Sequence, residues 1–351
     1  MQDAAALSPA IEAFDAVASR FDVRFGAWRS VAAQRRSVRR ALAKAFPRGA
    51  RVLEIGGGTG EDARWLAARG RVVQLTDGSP SMVRIARKKL RSQRGPAPCV
   101  VAAEGLERWA VERESTGEPL FDGVFSNFAA LNCVDDLEGC ARGLARLLRP
   151  GAPALLVLFG TLCPGEVVVQ LARGDARAAL RRRARGAVPA RLGGRAFEVR
   201  YHRAGALADA MAPWFRLRRR IGVGVLVPPS AAEPWISRYP ALVRTLEQLD
   251  RVLARPFAPL GDHVMYWFER TGSDTTGSDT TGSDTKGSDP TGSDPNGSDP
   301  TGSDPTGSDP NRFVREQVRS GGWGAHDLGI LLPPDRARFH PSLPTPHALE
   351  S

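Results

Sequence analysis

From residue 51 onward, short apolar runs alternate with longer stretches of helical spacing. Arg51-Val52-Leu53-Glu54-Ile55 is a strand-type run, Gly56-Gly57-Gly58-Thr59-Gly60 breaks it, and Glu61 to Arg69 places Ala63, Leu66 and Ala67 on one helical face. A second strand is predicted from Arg71 to Thr76, followed at once by Asp77. A helix over 79–91 opens with Ser79 as cap and Pro80 in its first turn, and Cys99 to Ala102 predicts a third strand. Ahead of these lie two predicted leader helices, at 8–18 and 29–45, the second of them basic. Beyond residue 160 the pattern predicts a strand or lid segment at 196–203, a helix at 204–212, a strand region at 214–227 and a helix at 232–254. Alternation over 262–269 predicts a last, antiparallel strand.

A strand that runs into a glycine-rich turn and then a helix is suited to a nucleotide-like ligand, because the glycines permit positive φ and close backbone approach. Asp77 falls where an acidic side chain accepts both hydroxyls of a ribose. The glycine spacing is G-x-G-x-G, and Glu61 occupies the position where the nicotinamide fingerprint needs its third glycine. Glu54, just before the turn, would repel a pyrophosphate. A cationic or zwitterionic ligand suits the site better.

Glu54-x-Gly56-x-Gly58-x-Gly60 followed by Asp77 resembles the cofactor site of class I S-adenosylmethionine-dependent methyltransferases. Phe121 to Asn127 is similar to that family's fourth strand, and Leu144 to Gly151 followed by Ala154 to Phe159 is similar to its helix, turn and fifth strand. The resemblance covers residues 10–270. It implies a doubly wound α/β fold, a seven-stranded Rossmann-like sheet with a helical cover, and S-adenosyl-L-methionine as cofactor. It gives cofactor roles to Glu54, Gly56, Gly58, Gly60 and Asp77. Met82 is placed against the adenine face, although a methionine there is more often core packing. Ser126 and Asn127 stand where relatives contact the methionine portion, with capping or turn roles as the alternative. Asn132 and Phe128 are candidates for facing substrate. Phe21-Asp22 with Phe25 is similar to the pair that closes a leader helix over the cofactor in small-molecule members, or else staples that helix to the core. One departure stands out: relatives carry Asp-Ala-Glu after the third strand, and this chain has Ala102-Ala103-Glu104. Glu104 or backbone groups must then receive the adenine amino group. Residues 126–134 lack the Asn/Asp-Pro-Pro-Tyr/Phe tetrad of enzymes that methylate planar amino groups, which excludes that class.

The chain has 351 residues, 42% of them hydrophobic, enough for a substantial core. Its one sharp break in composition is at 271–310, where a GSD-containing pentapeptide repeats without a single apolar side chain. Such a tract cannot offset the entropy of ordering and is expected to be disordered, as is the proline-containing tail 311–351. Net charge is +11, and the repeat holds eight Asp against one Lys, so the remainder carries +18. Nearly all the cations are arginines. The densest cluster, Arg173, Arg177, Arg181, Arg182, Arg183 and Arg185, is expected on a helix as a solvated face, since no aromatics interleave it for base stacking. Cys99, Cys133, Cys140 and Cys163 have no C-x-x-C spacing, so free thiols are expected and a metal is not. With no export signal and no apolar run of spanning length, a cytoplasmic location without a membrane span is expected.

The chain thus divides into a helical leader (1–50), a cofactor-binding core (51–160), a substrate-cover segment with the last strands (161–270), the repeat (271–310) and the tail (311–351). The resemblance implies methyl transfer to an oxygen or carbon of a small, apolar molecule. RNA methylation is the alternative that the basic charge permits, and a catalytically degenerate interaction protein is the one that Ala102 permits. The sulfonium carries its own activated methyl, so a general base is optional. Tyr201, His202 and His263 are the titratable candidates, and none has a recognisable partner in the sequence.

Overall fold

A computed structural model of the chain describes residues 7–272. The expectations for the repeat beyond 272 and for the tail fall outside the described residues. Two leader helices, α1 (Pro9–Gly26) and α2 (Arg29–Ala45), precede β1 (Arg51–Ile55), α3 (Glu61–Ala67), β2 (Val72–Asp77), α4 (Pro80–Leu90) and β3 (Cys99–Val100). Then come α5 (Leu106–Ser115), β4 (Gly123–Ser126), α6 (Leu137–Leu147), β5 (Pro153–Phe159), α7 (Pro164–Ala172) and α8 (Ala176–Leu180). The last elements are β6 (Ala187–Leu192), β7 (Arg195–Arg200), α9 (Ala204–Met211), β8 (Phe215–Val223), α10 (Pro240–Leu253) and β9 (His263–Arg270).

Seven strands form one sheet in the order β3-β2-β1-β4-β5-β9-β8, with β1 to β5 parallel and β9 antiparallel to both its neighbours. Helices cover both faces, which is why the central strands carry near-continuous apolar runs. Successive residues of β1 feed opposite cores: Val52 packs with Leu42, Phe46 and Leu66, while Leu53 and Ile55 pack with Leu106, Leu144 and Phe268. Strand order reverses between β1 and β4, and in such sheets the crevice beyond the strands' carboxyl ends at that point takes the ligand. Among the described residues, no helix is long and apolar enough to cross a membrane.

The pattern and the structure differ in five places. α1 continues eight residues past its expected end, because Phe21 and Phe25, one turn apart, pack at 4.6 Å between centroids and Phe25 meets Trp28 at 5.1 Å. The third strand is only two residues long. The arginine cluster does not ride one helix: Gly174 ends α7, Asp175 caps α8 by accepting from Ala178 N, and Arg181–Arg183 form a single 3-10 turn. Finally, the segment expected at 196–203 is half of a hairpin, β6–β7, turned by Gly193 and Gly194 at φ +58° and +80°. α10 begins only at Pro240, with short 3-10 turns before it.

Candidate cofactor and substrate site

The turn after β1 is held in shape by what surrounds it. Gly56 takes φ +60°, and a Cβ there would lie 2.4 Å from Ala130 Cβ; a Cβ on Gly57 would lie 2.6 Å from Leu75 and 2.9 Å from the Glu54 carboxyl carbon. Asp77 clamps the turn from β2, its Oδ2 accepting from Gly58 N and its Oδ1 from Ser79 N, each at 2.8 Å. Burial raises the Asp77 carboxyl above its ordinary range, opposed by these two N–H donors.

Glu54 is 2% exposed, and its Oε2 has no hydrogen-bond partner. Burial pushes its carboxyl well above the usual range; the negative charges of Asp62 and Asp77 add to this, and Arg35 opposes it. Asp62, at the start of α3, accepts from Arg35 Nη1 at 2.8 Å, Arg39 Nε at 2.7 Å and Asn127 Nδ2 at 2.7 Å. One carboxylate therefore ties α2 to the segment after β4. That segment is strained, with Phe128 at φ 51° and Ala129 at φ 65°, and Arg35 lies over the Phe128 ring at 4.7 Å.

These groups border a cavity of about 750 Å³. Glu54, Gly56, Gly58, Asp77, Met82, Glu104 and Asn127 all line it. Gly60 and Ser126, expected with them, do not. Gly60 is the left-handed residue that starts α3, and Ser126 is wholly buried within β4, its Oγ unpartnered. Away from the glycine turn the wall becomes aromatic, with Phe14, Phe21, Phe25, Phe128, Phe159 and Phe197, joined by Asp262 and His263.

The leader helix is latched across this cavity. Asp22 accepts from Thr59 Oγ1 at 2.6 Å and pairs with Lys89 at 2.6 Å. Asp15 accepts from Ser79 Oγ at 2.6 Å, Ser81 N at 2.8 Å and Ser81 Oγ at 3.0 Å. Burial works against ionisation of Asp15, but these bonds and Arg84 outweigh it and hold the carboxyl below its ordinary value. Sequence reasoning found Asp22 and missed Asp15, Asp62, Arg35 and Arg39. Acids early in a helix and arginines four apart on α2 are ordinary surface patterns, and only the fold joins them.

Of the three titratable candidates, His263 lines the cavity, whereas Tyr201 and His202 do not. Asn132 does not line the cavity: it is fully buried, donating to Arg200 O and accepting from Phe159 N, which stitches the hairpin to β5. The expected solvated arginine face holds for Arg173, Arg177, Arg183 and Arg185, which are exposed, and is corrected for Arg181 and Arg182. Arg182 is 6% exposed and pairs with Glu166 and Asp262, Arg181 pairs with Glu166, and Arg173 donates to Ala231 O. Cys163, Glu166 and Asp262 have metal-ligand spacing, but the Arg182 guanidinium already supplies the positive charge between the two acids.

Residues 52–151 match a protein-family model described as a methyltransferase domain. That segment carries the glycine turn, Asp77, all of β2, β3 and β4, and β1 but for Arg51. The chain carries a class I S-adenosylmethionine-dependent methyltransferase domain. The domain is similar to a ubiquinone/menaquinone biosynthesis C-methyltransferase, UbiE, from Acidiphilium cryptum (strain JF-5), 33% identical over 156 residues, which are 43% of this chain and 59% of that protein. The chain thus spans about three-fifths of that curated relative's length. It is also similar to an S-adenosylmethionine-dependent methyltransferase from Mesorhizobium loti, at 18% identity and TM-score 0.42, covering 66% of this chain and 96% of that one. A putative methyltransferase of the same dependence from Listeria monocytogenes has 15% identity and TM-score 0.43, covering 66% and 96%. Burial pushes the free thiols of Cys133, Cys140 and Cys163 up to about 12.

Proposed function

We propose that the chain transfers a methyl group from S-adenosylmethionine to an oxygen or carbon of a small, apolar molecule held at the aromatic end of the cavity. The observation that carries this reading is the single cavity, which joins the Glu54–glycine turn–Asp77 constellation to a wall of six phenylalanines. The donor set fits the cofactor. The Glu54 carboxyl, raised by burial and by its acidic neighbours and with Oε2 unpartnered, is relieved by a cationic group, and Asp77 keeps lone pairs free for ribose hydroxyls. Gly56, Gly58 and Gly60 shape the turn, Met82 offers an apolar face to adenine, and Glu104, two residues beyond the Ala102 that replaces the family's usual acid, substitutes for it. Ser126 and Asn127 complete the expected set, Asn127 at the cavity wall and Ser126 from behind it.

The cofactor supplies a methyl already activated on sulfonium. The chain's own residues then align the acceptor and exclude water. α1, latched through Asp15 and Asp22, closes the site, and the phenylalanines give the acceptor a dry, planar-walled seat. The likeness to UbiE, a C-methyltransferase of ubiquinone/menaquinone biosynthesis, supports an apolar aromatic acceptor. A cytoplasmic location agrees with four free thiols.

The test is incubation of the full chain with methyl-labelled S-adenosylmethionine and, separately, hydroquinones, phenols and bulk RNA. Label in a solvent-extractable product supports the reading. Label in RNA alone, or none despite bound cofactor, refutes it in favour of RNA methylation or of a degenerate binding protein.

A further inference from the structure

Because β9 runs antiparallel, its first residue reaches the edge of the sheet where the glycine turn, Asp77 and Asn127 lie, and His263 pairs there with Phe159, the last residue of β5. His263 is 6% exposed and lines the cavity. Its ring is fixed, stacked on Phe159 at 4.8 Å and meeting Phe128 edge-on at 5.7 Å. Nδ1 has no hydrogen-bond partner and lies 3.5 Å from Oδ2 of Asp262. Asp262 is itself immobilised: Oδ1 accepts from Arg182 Nη2 at 2.6 Å and Oδ2 from Gln34 Nε2 at 3.0 Å, while Glu166 holds Arg182 from the other side.

We infer that His263 is the catalytic base that takes a hydroxyl proton from the acceptor, that Asp262 is its positioning residue, and that the acceptor is a weak oxygen acid of the phenol or enol type. This rests on the methyltransferase reading of the same cavity. With Nδ1–H directed to Asp262, Nε2 is the accepting atom. The O–H bond breaks as its proton passes to the imidazole, and the electron pair so freed bonds the methyl carbon. The S–CH3 pair stays on sulfur, and the imidazolium afterwards gives its proton to water. Positive charge thus passes from sulfonium to imidazole and then to solvent.

Burial holds the imidazole below its ordinary value, with Asp262 opposing, so it is neutral and able to accept at pH 7. The charged groups that act on it are Asp262, Arg182 from the turn after α8 and Glu166 from α7, while around them Gln34 of α2 bonds Asp262, Cys163 clusters with Glu166 and Asp262, Arg35 of α2 lies over the Phe128 ring and Arg182 over Tyr201. The fixed Asp262 carboxylate is placed to stabilise the imidazolium as it forms.

The probe is p-nitrophenol, added to the full chain with S-adenosylhomocysteine, and the readout is the pH titration of the His263 imidazole by nitrogen NMR. The probe's oxyanion should raise the imidazole's proton affinity by about tenfold, one pH unit. Asp262→Asn should lower the midpoint in the free chain. His263→Gln should weaken probe binding about tenfold, with S-adenosylhomocysteine affinity unchanged. An imidazole midpoint unmoved by the probe, or a His263→Gln protein that binds the probe as tightly, overturns the assignment; the wild-type titration decides even if the variant does not fold. Failure of the wild type to bind S-adenosylhomocysteine sinks the methyltransferase reading instead, and is seen separately by calorimetry.

Discussion

Replacing Asp62 by alanine would remove the one carboxylate that joins α2, α3 and the segment after β4. Asp62 is 2% exposed, and the side chains of its partners Arg35 and Arg39 are 21% and 18% exposed. Without it, two largely buried guanidiniums lose their counter-charge, and the Asn127 amide loses its acceptor. Breaking a buried ion pair from one side costs about 3–5 kcal/mol. The lower end applies, because Arg39 keeps a bond to Glu61 O at 2.8 Å. Against a total of about 5–15 kcal/mol this is a large share. At roughly 2–4 °C per kcal/mol for a domain of this size, a loss of about 3 kcal/mol lowers Tm by roughly 6–12 °C. Thermal unfolding of the full chain, followed by circular dichroism at neutral pH, measures it. A fall of less than about 2 °C would show that the three-way clamp contributes little, and the account of what orders the segment bearing Phe128 would be wrong.

Gly57→Ala places a methyl 2.6 Å from Leu75 and 2.9 Å from the Glu54 carboxyl carbon, so stability should fall by about 1–3 kcal/mol in urea and cofactor affinity with it. Glu54 is raised by burial in the free chain and favoured as carboxylate by a cationic ligand, so binding should release a proton and tighten as pH rises. Calorimetry in two buffers of different ionisation enthalpy reads that release, and Glu54→Gln should abolish it. Asp15→Ala removes three bonds that latch α1 to α4 and should speed hydrogen exchange in residues 9–26 while leaving the sheet protected; uniform loss of protection would contradict a local latch.

The doubly wound fold was legible because its signals are local: a strand-type run into glycines, an acid after the second strand, and an alternating last strand. The hairpin β6–β7 was half seen, although Gly193-Gly194 between runs of six residues is itself a turn signal. The cavity was legible where one motif carries it, at Glu54, Gly56, Gly58 and Asp77. It was not legible where partners come from distant elements. Asp62 and Arg35 are 27 residues apart, and Asp262 and Arg182 are 80 apart. Their pairing follows from packing of α2 and the cover segment onto the sheet, which no spacing rule encodes. The same packing drew Arg181 and Arg182 out of the expected solvated cluster to pair with buried acids, and made His263 a cavity residue.

The most direct test of the central claim is calorimetric titration of the full chain with S-adenosylmethionine and S-adenosylhomocysteine, beside Asp77→Asn. The account predicts saturable binding of both by the wild type and affinity at least about tenfold weaker in the variant, a loss of about 1.4 kcal/mol. No binding by the folded wild type, or equal affinity in the variant, would contradict it.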